Sequence, residues 1–160
     1  YGSIIGHWLE WARLLIQLDA ATGGAHPWLV PAARRFFDQG LAEGWDPRHS
    51  GFGYAVDWSG RVINSDRYHW VITEAIGAAV ALYRATGDEE TARWYERFWE
   101  YAAARHIDPA DGSWVHQLDG DGEPVFTAWE GKPDLYHALQ ATLFARVPGR
   151  ASLVVEIAAQ

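Results

Sequence analysis

The stretch that decides the fold is 68-YHWVITEAIGAAVALYRAT-86, which stops at Gly87. Nearly every position is apolar, so this is a helix buried on most sides rather than one with a broad wet face. Gly87 is a good helix stop, and Asp88 is a natural N-cap for a second helix over 89–106. There Trp94, Phe98, Trp99 and Tyr101 alternate with Glu96, Arg97, Glu100 and Arg105, the pattern of an amphipathic helix. A buried helix followed by a half-solvated one makes an αα-hairpin.

The same pair occurs upstream. Residues 4–22 are apolar almost all round and end at Gly23-Gly24. Residues 27–43 open with Pro27 and set Leu29, Ala33, Phe36 and Phe37 against Arg34, Arg35 and Asp38. Downstream, a third apolar helix opens at Pro133-Asp134 and runs to about Arg146, with a short partner expected over 150–159. Between the pairs, 51–65 and 112–127 alternate apolar and polar residues around Ser59-Gly60 and Asp121-Gly122, which predicts short β-hairpins. The predicted class is all-α: an αα-hairpin array with β-hairpin excursions, of the kind that builds α/α barrels and toroids. Three pairs predict an arc rather than a closed ring.

Composition narrows the function. The chain has 160 residues, 13 Lys+Arg against 21 Asp+Glu, no Cys, no Met and ten Trp. A net charge of −8 argues against nucleic-acid or anionic-membrane surfaces, which need basic patches. Without Cys there is neither a disulfide framework nor a thiol nucleophile. No leader and no membrane-length apolar run is present, which predicts a soluble, cytoplasmic protein. The lack of Met points to an internal or trimmed piece of a longer chain. The Trp excess suits sugar recognition, because sugar C–H faces pack on aromatic rings while the hydroxyls take polar partners. Most of the ten are nevertheless expected in the core. Trp8, Trp70 and Trp129 are the site candidates because each adjoins a polar cluster.

Three clusters can carry chemistry. On the first helix His7, Glu10, Arg13 and Gln17 share one face, either as a solvated edge or as an acid/base histidine oriented by Glu10. Half of a metal site is the weaker reading of His7-x-x-Glu10, since no second matching pair exists, and no metal or cofactor is expected. Glu74 is the lone carboxylate of its helix and needs a partner, either a sugar hydroxyl or a structural group such as Arg13 or His69. His137 falls in the first turn of the third helix, where the dipole favours a neutral ring suited to a general base. Beside it stands Lys132, the only lysine.

These residues resemble a known family. Gly6-His7-Trp8-Leu9-Glu10-Trp11, His69-Trp70-Val71-Ile72-Thr73-Glu74 and Trp129-Glu130-Gly131-Lys132-Pro133-Asp134-Leu135-Tyr136-His137-Ala138-Leu139-Gln140 are similar to strings of the N-acylglucosamine 2-epimerase superfamily. Within it, the mannose isomerase and sulfoquinovose isomerase branch is the nearest match. The resemblance implies that residues 1–160 are the C-terminal portion of a single (α/α)6-barrel catalytic domain. It further implies cofactor-independent aldose–ketose isomerisation through a cis-enediol, with a 2-epimerase or a non-catalytic sugar-binding remnant as alternatives. His7 and His137 match the family's acid/base histidines. Glu10, Glu74, Trp8, Trp70, Trp129 and Gln140 form the implied substrate-binding set. The implied partner is a monosaccharide, and a half-built barrel would leave an apolar groove open to a missing N-terminal half or a second copy.

Overall fold

The computed structural model describes residues 2–147 and 152–158. In chain order, β1 (Gly2–Ile4) runs into α1 (Ile5–Ala21), and α2 (Leu29–Gly44) follows. Three short strands, β2 (Ala55–Asp57), β3 (Val62–Asn64) and β4 (Arg67–Tyr68), lead into α3 (His69–Thr86) and α4 (Glu89–Arg105). Then come β5 (Gln117–Leu118), α5 (Leu135–Phe144) and α6 (Leu153–Ala158). The expected partner over 150–159 is represented by α6; residues 148–151 and 159–160 lie outside the described residues.

The two kinds of helix do what their patterns predict. α3 is the middle helix, packed against α1 on one side and α5 on the other, with α2 on α1 and α4 on α3. The three inner helices form no closed barrel among the described residues. Gly87 ends α3 at φ 70, and the Asp88 carboxylate accepts from the Glu90 amide to start α4. α2 begins at Leu29 rather than at Pro27. Pro31 then falls in its first turn, where a missing N–H leaves no hydrogen bond unmade.

The excursions are more than isolated hairpins. Over 51–65, β2 pairs with β3 as predicted, but β1 adds a third antiparallel strand through Ile4 opposite Ala55. Over 112–127 the turn forms, with the Asp119 amide donating to the Glu123 carbonyl at 2.9 Å, yet β5 also pairs with β4 through Arg67 opposite Leu118. β1 and β4 each run without a break into an inner helix, so these sheets pin the first turns of α1 and α3.

An aromatic cluster closes the outer side: Phe37 of α2 meets Phe98 of α4, and Trp45, Phe52 and Tyr101 pack around them. Trp94 joins this packing and Trp99 packs separately against Trp114, whereas Trp11, Trp28, Trp58 and Trp129 are exposed. Most of the tryptophans thus lie in the core or pack against it, as expected. Leu135, Tyr136 and Leu139 leave an apolar face of α5 in solvent. Among the described residues no helix is long and apolar enough to cross a membrane.

The inner helices approach closely at Gly77, where an added Cβ would stand 2.5 Å from the Phe144 ring and 2.9 Å from the Arg13 stem. Gly77→Ala is accordingly expected to lower stability by about 1–3 kcal/mol despite its better helix propensity. Urea unfolding of the two proteins checks this.

Acid should also unfold the protein through a buried histidine. His106 has 0 % exposure and holds the Val115 carbonyl at 3.0 Å through Nδ1. Burial pushes its imidazole down to about 4, against the pull of that carbonyl. The depressed value means that the unfolded chain takes up the proton first, so stability is full above pH 6.5 and falls as the pH drops toward 4. The loss from this residue is about 3 kcal/mol by pH 4. Unfolding free energies of the protein and of His106→Gln at neutral and acid pH should converge by that amount.

Candidate active site

The first turns of α1, α3 and α5 meet at one end of the inner layer. They bring His7, Trp70 and His137 together although each stands on a different helix. The Trp70 ring lies between the two histidines, with ring centroids 5.4 Å from His7 and 6.0 Å from His137. Tyr54 packs edge-on against Trp70 from behind. Gly6 makes this arrangement fit, since a Cβ there would stand 2.3 Å from the Trp70 ring.

Below this cluster lies a buried ion pair. Arg13 of α1 reaches Glu74 of α3 with two hydrogen bonds, Nε to Oε2 at 2.8 Å and Nη2 to Oε1 at 3.0 Å. Both side chains are almost wholly buried, and the Arg13 guanidinium also lies over the Phe144 ring and donates to Gln17 at 3.1 Å. The bidentate geometry fixes the carboxylate plane. Glu74 Oε1 then faces the site, accepting from Gln140 Nε2 at 3.5 Å and standing 3.9 Å from His137 Nε2. Arg13 is thus the structural partner that Glu74 needed, while one carboxylate oxygen stays turned toward His137.

His137 is held from its other nitrogen. Asp134 caps α5, its Oδ1 accepting from both the His137 backbone N–H at 3.0 Å and the ring Nδ1 at 2.9 Å. Burial works against the Asp134 carboxylate, but the backbone N–H and ring of His137 hold it below the usual carboxylate range. An ionised Asp134 accepts a hydrogen bond from Nδ1, so in the neutral ring the lone pair is on Nε2, the nitrogen facing Glu74. The helix dipole does not act on His137 alone: the Asp134 carboxylate stands at the same helix terminus.

His69 lies behind His137, ring centroids 5.9 Å apart, and is completely buried. Burial pushes its imidazole down to about 4, against the pull of Asp134. At neutral pH the 3.3 Å approach of His69 Nε2 to Asp134 Oδ2 is therefore not an ion pair.

The structure gathers His7, Trp70, Glu74, His137 and Gln140 from the expected set and leaves three members apart. Glu10 shares the helix face of His7 but makes no hydrogen bond to it; His7 rests on Trp70 instead. Trp8 packs against the core, and Trp129 is 60 % exposed on the loop before α5, its indole over Gly131. Lys132 is exposed and donates to Ser113 Oγ. Asp134 is the residue that sequence reasoning undervalued: it was recognised as part of a helix start, and the Asp-x-x-His spacing was the available sign that it also holds the ring.

The fold is shared with helical-barrel proteins named as sugar isomerases and epimerases. Residues 1–141 match the N-acylglucosamine 2-epimerase (GlcNAc 2-epimerase) family model, and the chain belongs to that family. D-mannose isomerases from Thermobifida fusca and Pseudomonas cannabina pv. alisalensis are each 41 % identical to it, over 160 and 163 residues. Each match takes in 99 % of this chain but 39 % of the relative. A crystal structure of D-mannose isomerase superposes with a TM-score of 0.79 at 32 % identity, over 88 % of this chain and 36 % of that one. The described helices therefore have the (α/α)6-barrel fold of these proteins, without its closure.

Proposed function

We propose that the cluster performs aldose–ketose isomerisation of a mannose-type sugar through a cis-enediol, without a cofactor. The observation that carries this is the pair of histidines flanking one indole, His137 with its Nε2 free of the Asp134 bond. Moving a proton from C2 to C1 needs one base that reaches both carbons of a planar intermediate. In this reading His137 Nε2 takes the C2 proton, exchanges it with solvent and delivers a proton to C1. His7 assists ring opening, gives a proton to O1 as the enediol forms and takes the O2 proton as the ketose carbonyl forms. Trp70 gives the sugar a flat apolar wall, and Glu74 and Gln140 hold hydroxyls.

Electrostatics supports the same assignment. Negative charge builds on oxygen as the enediol forms, and it would do so where the N-terminal ends of three inner helices converge. The likeness to proteins named D-mannose isomerase favours mannose as the substrate class. We read residues 1–160 as the C-terminal portion of one (α/α)6-barrel catalytic domain, since the chain spans 39 % of the length of those relatives and the inner helices stay open. The remaining substrate contacts then come from the rest of that barrel.

The test is incubation of the protein with D-mannose, followed by separate assays for ketose and for the C2 epimer. Ketose is expected. Epimer without ketose overturns isomerisation in favour of 2-epimerisation by reprotonation of C2 on the other face. Turnover by the 160-residue chain alone would exclude a non-catalytic remnant.

A further inference from the structure

The imidazole of His69 is an unfinished contact. It is completely buried, yet neither of its ring nitrogens makes a hydrogen bond, a costly condition for a buried polar group. Trp114 and His116 close its far side, with ring centroids 6.4 and 5.2 Å away. Its Nε2 instead looks toward Asp134 Oδ2 at 3.3 Å, near enough to interact but outside hydrogen-bond geometry. The other oxygen of the same carboxylate holds His137 Nδ1.

One donor atom from each of His69, Asp134 and His137 therefore lies within 4.8 Å of the other two. In a tetrahedral zinc site with bonds of about 2.0–2.1 Å, neighbouring donors stand roughly 3.3 Å apart. The His69–Asp134 separation already has that value. Two imidazoles and a carboxylate, with a fourth position left open, form a donor set suited to a borderline divalent ion such as Zn²⁺ rather than to Mg²⁺ or Ca²⁺. Asp134, 47 % exposed, gives the ion its way in.

We propose that His69, Asp134 and His137 bind one divalent transition-metal ion, and that its occupancy shuts off the acid–base centre. The ion would take His69 Nε2, Asp134 Oδ2 and His137 Nδ1. His137 must then present its Nδ1 lone pair to the metal, so its ring proton moves to Nε2. No proton leaves the ring, but the nitrogen that faced the sugar becomes an N–H donor turned toward Glu74 Oε1, 3.9 Å away. A base whose lone pair is spent in this way cannot accept the C2 proton. The binding half of the proposal stands on geometry alone; the inhibition half rests on the reading of His137 as the base. The His7-x-x-Glu10 spacing gave no hint of this site, whose ligands come from the starts of α3 and α5.

Titration of the chelator-stripped protein with Co²⁺ tests binding, because a tetrahedral nitrogen–oxygen site gives Co²⁺ intense visible absorption. One equivalent is expected to bind and to be displaced by Zn²⁺. Asp134→Asn, which keeps a capping oxygen, and His69→Asn are each expected to weaken binding by about tenfold or more. Circular dichroism confirms that both variants are folded, and His49→Asn, which removes an exposed histidine paired with Asp46, should bind as before. Absence of a stoichiometric Co²⁺ spectrum, or equal affinity in the Asp134 and His69 variants, overturns the site. For the second half, Zn²⁺ is expected to stop mannose turnover and a chelator to restore it. Turnover that persists with the ion bound overturns inhibition while leaving binding in place. No turnover by the metal-free protein would instead overturn isomerisation by this chain and, with it, the inhibition, with the Co²⁺ result unaffected.

Discussion

Replacing His137 by Gln is expected to slow sugar turnover by about 10²–10⁴-fold, the usual worth of a positioned general base. The sharper readout is isotopic. In D₂O the protein should wash the C2 hydrogen of the aldose into solvent, and His137→Gln should not. Glutamine retains a polar group beside Glu74 and Gln140 but has no nitrogen lone pair to take a proton. His7→Gln separates the two roles: net conversion should slow while exchange at C2 continues, because His7 acts on oxygen in the proposed sequence. Exchange retained in His137→Gln would move the base elsewhere.

Breaking the Arg13–Glu74 pair should give the largest loss of stability. Glu74→Leu leaves a guanidinium, only 4 % exposed, without its counter-charge, at an expected cost of about 3–5 kcal/mol. Arg13→Met combined with Glu74→Leu should restore most of that loss, because the desolvation penalty leaves with both charges. Denaturant unfolding of the two single variants and the double variant gives the coupling directly. The double variant should regain its fold without regaining turnover, since Glu74 Oε1 is also the acceptor facing Gln140 and His137. That divergence separates the pair's structural contribution from its place in the site.

Much of this was legible in the sequence because it is written locally. Gly87 and Asp88 mark the corner between α3 and α4 through backbone chemistry confined to a few residues. His7 and His137 were legible as polar residues on otherwise apolar helices, which require a polar surrounding. What escaped was non-local. β1 is three residues long, too short for a periodic signal, and its partner Ala55–Asp57 lies far along the chain. The same holds for β4 with β5. In the site, the helix register of Glu10 placed it on the face of His7, but side-chain direction, not spacing, decides contact, and His7 turns to Trp70. His69 was legible only as a possible partner for Glu74; that it comes to lie against Asp134 instead depends on how α3 and α5 dock.

The convergence of three first turns also sets a chronology. The α1–α2 and α3–α4 hairpins each join helices that are neighbours in sequence and can associate soon after both exist. The acid–base cluster has no such local precursor, because His7, Trp70 and His137 belong to three different inner helices. On the ribosome, α1 to α4 can be folded while the site is still chemically silent, with His7 and Trp70 in place and the base not yet synthesised. On the proposed assignment, α5 is the last of the three described inner helices to emerge and completes the cluster, so the site assembles only when most of the polypeptide described here has been made.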